Sequence, residues 1–294
     1  MTVDRDEIEI EASRAPLMDH LVELRNRLLI CVVAFVAGFI LCFAFSSQIY
    51  LFLVKPFAAA ASFHAAMAPG EHVSPIDLIL GTAGVKPLPL IDGKTVDLIY
   101  TAPLEFLFTK MKLAGFGAVV VAFPVLAWQL YRFVAPGLYR NERGAFLPFL
   151  VAAPLLFLLG AALVYFVMLP FVMWFSLSQQ IVGGGVTAEL LPKVSDYLNL
   201  VTALLLAFGL CFQLPVVMSL LGMAGLISSE VMAKGRRYAI LGVAVVAAVV
   251  TPPDPISQIM LIIPLVILYE ISIWCVRLME MRRGKAESQD LVAT

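Results

Sequence analysis

Six apolar stretches run along this 294-residue chain, and its Lys and Arg residues fall almost wholly on alternate connections between them. That pattern fixes the solvent. With 61% hydrophobic and 14% charged residues and a mean hydropathy of +0.95, the chain carries more apolar surface than one soluble core can hide, and lipid must cover it. The stretches are expected as spans at about 28–46, 108–132, 145–172, 198–223, 238–251 and 256–275. Backbone groups in hydrocarbon must be satisfied within each segment, and the strict alternation of a barrel strand is missing. The spans are therefore helices, and the fold class is all-α: a polytopic membrane protein with six transmembrane helices.

Orientation follows from the basic residues. Arg5, Arg14, Arg25 and Arg27 precede the first span, and Arg132, Arg140 and Arg143 lie between the second and third. Lys234, Arg236 and Arg237 lie between the fourth and fifth, and Arg277, Arg282, Arg283 and Lys285 follow the sixth. The opposite connections hold only Lys55, Lys86, Lys94, Lys110, Lys112 and Lys193, so both termini are expected in the cytoplasm. Trp128, Tyr131, Trp174, Tyr197, Tyr238 and Trp274 fall near expected span ends, where amphipathic rings sit at the interface.

Residues 1–16, with Asp4, Asp6, Glu7, Glu9 and Glu11, are expected as a disordered acidic tail, 17–276 as the membrane domain and 277–294 as a cytoplasmic tail. From Leu17 onward, Leu21, Leu24 and Leu28 recur at helical steps while Asp19, Glu23 and Arg27 share another face, so an amphipathic helix leads into the first span. No small-x-small cleavage pattern follows that span, which is expected to stay. The longest outward connection, about 47–107, carries Pro56, Pro69, Pro75, Pro87, Pro89 and Pro103, too many for one long helix. It is expected to form an ordered cap of short helices, loosest around Pro87 to Gly93, with Gly183 to Gly185 a flexible point in the second outward loop.

Soluble-type catalysis has no visible machinery. Cys31, Cys42, Cys211 and Cys275 all lie in apolar runs, His20, His64 and His72 form no cluster, and no HExxH, Walker or CxxC pattern occurs. Neither an enzyme, a metal, a cofactor nor a nucleic-acid partner is expected. The fifth span is short: Tyr238 to Val250 gives 13 residues, about 20 Å of helix against a hydrocarbon core of about 30 Å. The Thr251, Pro252, Pro253, Asp254, Pro255 corner after it is expected in thinned bilayer or beneath a partner helix, unless the two helices extend further at their cytoplasmic ends.

Four motifs identify a relative. HLVELRNRLL from His20, TAPLEFLF at 101–108, FVAPGLYRNERG from Phe133 to Gly144 and TPPDPISQ at 251–258 resemble, in order, the TatC family, the six-span core subunit of the twin-arginine protein translocase. The resemblance implies a receptor for signal peptides bearing two consecutive arginines. It also implies single-span partners of the TatA and TatB type, a complex of several copies, an inner-membrane location and the proton gradient as driving force for exporting folded proteins. In the family the carboxylates of the ELR and ER motifs meet the arginine pair, and those positions here are Glu23 and Glu142. Arg25 is expected to orient Glu23, and Phe133 and Pro136 to shape the second inward loop.

Elementary chemistry agrees with that assignment. Guanidinium is permanently charged and presents a planar fork of donors, so a receptor selective against Lys needs carboxylates held at the water–membrane edge. The plain alternatives are a surface helix pair between Glu23 and Arg27, four residues on, and a helix-dipole role for Glu142. Within the membrane, Gln213 of CFQLP stands where the family commonly has Glu, and an amide cannot titrate near neutral pH; its role is a contact with a partner helix or an interhelical hydrogen bond. The resemblance further makes Gln258 a partner-helix contact, and Asp254 a turn or contact residue or the N-cap of the sixth span. Glu105 and Pro56 are assigned to bracing and shaping the cap, and nothing is assigned to the stretch from about His64 to Val96. The rival readings are a small-molecule secondary transporter, against which the two halves show no matching broken helices, and a passive membrane anchor.

Overall fold

A computed structural model describes residues 5–66, 74–87, 89, 98–134, 147–183, 186–188, 192–223, 225–250 and 255–292. Five helical stretches there are long and apolar enough to cross a bilayer: Leu21–Ala44, Glu105–Leu130, Val151–Ser178, Val194–Met223 and Gln258–Met281. A sixth apolar helix, Arg236–Val250, has 15 residues, about 22 Å at 1.5 Å per residue and short of a 30 Å core. The chain folds as two compact units, Met1–Ala44 with Ala114–Pro154 and Phe45–Leu113 with Leu155–Thr294.

The first unit pairs helix α1 (Arg5–Ala44) with the later part of α4 (Glu105–Val134). Arg27 donates to the Gln129 carbonyl at 3.3 Å, and eleven residues further along α1 Gly38 meets Ala118, eleven residues earlier on α4. The two helices are therefore antiparallel. A Cβ at Gly38 would stand 3.3 Å from the Ala118 backbone, and Ala114, Ala118 and Ala122 are all buried. Small side chains let the backbones approach, which is how helices associate where lipid removes the hydrophobic drive. Residues 5–16, expected as a disordered tail, are the first turns of α1. Glu, Ala and Arg are good helix formers and favour this conformation on the amino-terminal side of Pro16.

The second unit begins with α2 (Ser46–Ala65) and α3 (Pro75–Thr82), the expected cap. One cap helix is longer than anticipated, because α2 continues for 20 residues through Pro56. A proline removes the N–H that would bond the carbonyl four residues back, here that of Phe52, and its ring crowds the turn. The Tyr165 hydroxyl donates to the Phe52 carbonyl at 2.7 Å, and the Tyr197 hydroxyl to the adjoining Leu53 carbonyl at 2.7 Å. Both tyrosines are buried, and the Tyr165 ring lies flat on Phe52 with centroids 4.3 Å apart. Two membrane helices thus supply the donors that let α2 pass through its proline.

Tyr165 comes from a π-helical turn, Val164–Met168, which joins α5 (Leu147–Leu163) to α6 (Leu169–Ser178) just before Pro170. A hairpin of β1 (Ile181–Gly183) and β2 (Val186–Ala188) follows, where only a flexible glycine point was expected. Its strands are β-branched on either side of Gly184 and Gly185 in the sequence, the composition hairpins favour. The fourth span is split into α7 (Val194–Cys211) and α8 (Leu214–Met223), the break falling two residues ahead of Pro215. Gly209 is needed where α7 meets α5: a Cβ there would stand 2.5 Å from the Phe157 ring. The short α9 (Ser229–Lys234), then α10 (Arg236–Val250) and α11 (Pro255–Val292) complete the unit, with α8, α9 and α10 all packed on α11. At 38 residues, α11 is about 57 Å long and continues well past its apolar run.

Candidate functional site

The α1 lead-in holds the first candidate. Glu23 and Arg27 are one turn apart, and the guanidinium grips the Glu23 carboxylate through both Nε, at 3.1 Å, and Nη2. A third donor of the same fork reaches the Gln129 carbonyl near the end of α4. The Arg27 side chain is 14% exposed and that of Glu23 39%, so the arginine is the buried brace and the carboxylate faces out. Both contacts from Arg27 fall on Oε1 of Glu23, leaving Oε2 without a partner among the described residues.

Arg25 does not do the orienting. Its guanidinium is exposed and donates to Asn26 at 3.5 Å. Residues two apart on an α-helix point about 200° apart, so Arg25 and Glu23 lie on different faces and the arginine one full turn on takes that place. Phe133 belongs to the last turn of α4. Glu142 and Asp254, with Pro136, lie outside the described residues.

On the cap, Glu105 is the first residue of α4, and its Oε2 accepts from the Thr101 N–H at 2.7 Å, the Thr101 hydroxyl at 3.2 Å and the Ala102 N–H at 3.1 Å. One carboxylate thus folds the approach 101–104 back onto the helix start, where the macrodipole also favours negative charge. The approach is tied to α7 as well, since Ile99 N–H donates to Pro192 O at 3.3 Å and Val194 N–H to Ile99 O at 3.1 Å. Burial, and then the neighbouring Tyr50 hydroxyl, push the Tyr100 phenol up to about 12. Pro56 is buried inside α2, gripped as described.

Gln213 occupies the break between α7 and α8, and its Nε2 lies 3.5 Å from the Gly209 carbonyl. Gln258, in the first turn of α11, donates through Nε2 to the Ala244 carbonyl of α10 at 3.4 Å. An amide in hydrocarbon needs such a partner, and here it joins the short helix to the long one. No sequence pattern points to Tyr165 or Glu280, whose partners lie 113 and 51 residues away, and Tyr197, expected as an interfacial ring, is buried with its hydroxyl on a carbonyl 144 residues away. Arg27 was visible only as the i, i+4 partner of Glu23.

Five long apolar helices, a sixth short one, and polar side chains concentrated at their ends define a polytopic helical membrane protein. Residues 19–264 match the family described as Sec-independent protein translocase protein (TatC). A Magnetococcus marinus protein named Sec-independent protein translocase protein TatC is 40% identical over 277 residues, covering 94% of this chain and 89% of that one. The Escherichia coli protein of the same name is 34% identical over 259 residues, covering 88% and 87%. A crystal structure titled Twin Arginine Translocase Receptor- TatC superposes with a TM-score of 0.67 at 33% identity, over 88% of this chain and 98% of that one. The chain belongs to the TatC family and is a subunit of the Sec-independent, twin-arginine protein translocase.

Proposed function

We propose that this subunit is the receptor that docks signal peptides bearing two consecutive arginines, using Glu23 and Glu142, and that it passes folded cargo outward at the expense of the proton gradient. The observation that carries the reading is the Arg27 brace. It fixes Glu23 beside Gln129, and the connection that holds Glu142 starts only a few residues further on, after Val134. Two guanidiniums call for two carboxylates at close range: Oε2 of Glu23 is a fixed acceptor, and Glu142 supplies the second. Phe133, in the last turn of α4, shapes the same corner.

Under this reading the chain sits in the cytoplasmic (inner) membrane with both termini in the cytoplasm and works in a complex with single-span TatA-type and TatB-type subunits. Gln213, Asp254 and Gln258 are the partner-helix contacts. Gln258 spends a donor on Ala244, and among the described residues its carbonyl oxygen has no partner, while Gln213 lies at the interruption of a membrane helix. Glu105 and Pro56 hold the cap. Crosslinking of a twin-arginine signal peptide to the purified protein tests the receptor. Glu23→Ala together with Glu142→Ala is expected to abolish the preference for arginine over lysine peptides while the protein still inserts. Undiminished arginine-selective crosslinking in the double variant removes the proposal.

A further inference from the structure

Arg25 is an exposed cation that the brace at Glu23 does not use. Its guanidinium donates to the adjacent Asn26 at 3.5 Å, and among the described residues it has no carboxylate within ion-pair distance. Its neighbours on the helix surface are the residues three, four and seven positions away. Those are Met18, Leu21, Val22, Leu28, Leu29 and Val32, every one of them apolar and between 46% and 61% exposed. One charge therefore stands alone in an open apolar stripe of α1, on the side of the helix turned away from Glu23.

The same run of residues gives that charge a depth. The apolar stretch Leu21–Ala44 has 24 residues, about 36 Å of helix against a hydrocarbon core of about 30 Å. Measured back from Ala44, where α1 ends, the core takes up about 20 residues, and its inner edge falls at Arg25. A guanidinium at that level is costly in hydrocarbon, and its long stem lets the head reach the phosphate layer instead. Charge decides the occupant. A peptide carrying two arginines is repelled from this face, whereas a phosphodiester offers two oxygens to the guanidinium fork.

We propose that Arg25 grips the phosphodiester of a phospholipid in the cytoplasmic leaflet, whose acyl chains lie along Leu28, Leu29 and Val32, and that this contact fixes the depth at which α1 presents Glu23. The second half rests on the receptor reading and on the inward position of the α1 lead-in given with it. Arg27 sets the direction of the Glu23 carboxylate, and Arg25 sets its height. Because the two faces are opposed, Arg25 is a positioning residue that touches neither the carboxylate nor the peptide.

Two measurements on the full chain test this. In bilayers of phosphatidylethanolamine and phosphatidylglycerol, dipolar dephasing of isotope-labelled arginine Cζ signals by lipid phosphorus is expected to include a component that disappears in Arg25→Gln. An unchanged dephased fraction in that variant overturns the lipid contact, whatever the protein does with peptides. The same component produced by inorganic phosphate on delipidated protein makes this a small-anion site and equally overturns the lipid assignment.

Depth is read from the binding of a labelled twin-arginine peptide. Arg25→Gln is expected to bind it severalfold more weakly than wild type in those bilayers and equally well in a phosphate-free detergent, with Arg25→Lys recovering part of the loss. A loss of the same size in detergent means that Arg25 works within the protein, and no loss in the bilayer means that it positions nothing; either result overturns the positioning role. Wild-type protein that binds no peptide in either medium overturns the receptor reading and the positioning role with it, while the dephasing result still decides the lipid contact.

Discussion

At the scale of a residue, the arrangement at Glu23 separates holding from attracting. Arg27 is the more buried member of the pair and divides its donors between the carboxylate and the Gln129 carbonyl, so it fixes where Glu23 points. A lysine keeps the charge but presents a single centre, unable to reach both acceptors in one geometry. Arg27→Lys is therefore expected to weaken twin-arginine peptide binding severalfold, and Glu23→Gln about tenfold; the second figure is the low end for a charge-assisted contact because Glu23 is 39% exposed. Fluorescence titration of a labelled signal peptide against the protein in detergent measures both. Equal affinity of Arg27→Lys and wild type would show that the brace positions nothing. The spacing of Glu23 and Arg27 was readable in the sequence, since i and i+4 share a helix face. The contact from Arg27 to α4 was not, because the two residues are 102 positions apart and no local pattern encodes that approach.

At the scale of an element, Pro56 explains why the cap needs the membrane helices beneath it. Without a donor at residue 56 the Phe52 carbonyl is orphaned, and the Tyr165 hydroxyl supplies the missing bond. Tyr165→Phe leaves that carbonyl buried and unpaired, a loss of about 1–3 kcal/mol. In a Pro56→Ala background the restored N–H bonds the same carbonyl, so the cost of Tyr165→Phe is expected to fall to less than half. Thermal unfolding of the two single variants and the double variant in detergent measures this coupling. Costs that simply add would break the link between the proline and the tyrosine. The prolines of 47–107 announced a broken cap, and the structure divides it between α2 and α3. They did not announce that α2 runs through one of them, because the compensating donors come from distant spans. The hairpin of β1 and β2 was likewise hidden by glycines that read as flexibility until strands formed on both sides.

At the scale of the whole molecule, the hydropathy pattern made five of the six spans legible to within a turn or two, because hydrocarbon demands length and apolarity and little else. The sixth, α10, keeps the shortness the sequence implied, at 15 residues. The extension of α11 to Val292 was not legible, since a helix that leaves the bilayer loses the apolar signal while keeping its backbone bonds. Orientation is the remaining global property, and it rests on the distribution of Lys and Arg. Two exposed positions on opposite sides of the expected topology decide it: Ala83, after α3 in the cap, and Glu230 in α9, between the fourth and fifth spans. With a membrane-impermeant thiol reagent, Ala83→Cys is expected to label from outside the cell and Glu230→Cys only in inside-out vesicles. The native cysteines lie within the apolar helices, Cys42 buried and Cys31, Cys211 and Cys275 partly so, and give a low background. If α10 crosses with the other five, the two termini share a side, and labelling of Glu230→Cys from outside would invert both at once. It would also carry Glu23, on the same side of the first span as the amino terminus, away from any peptide arriving from the cytoplasm.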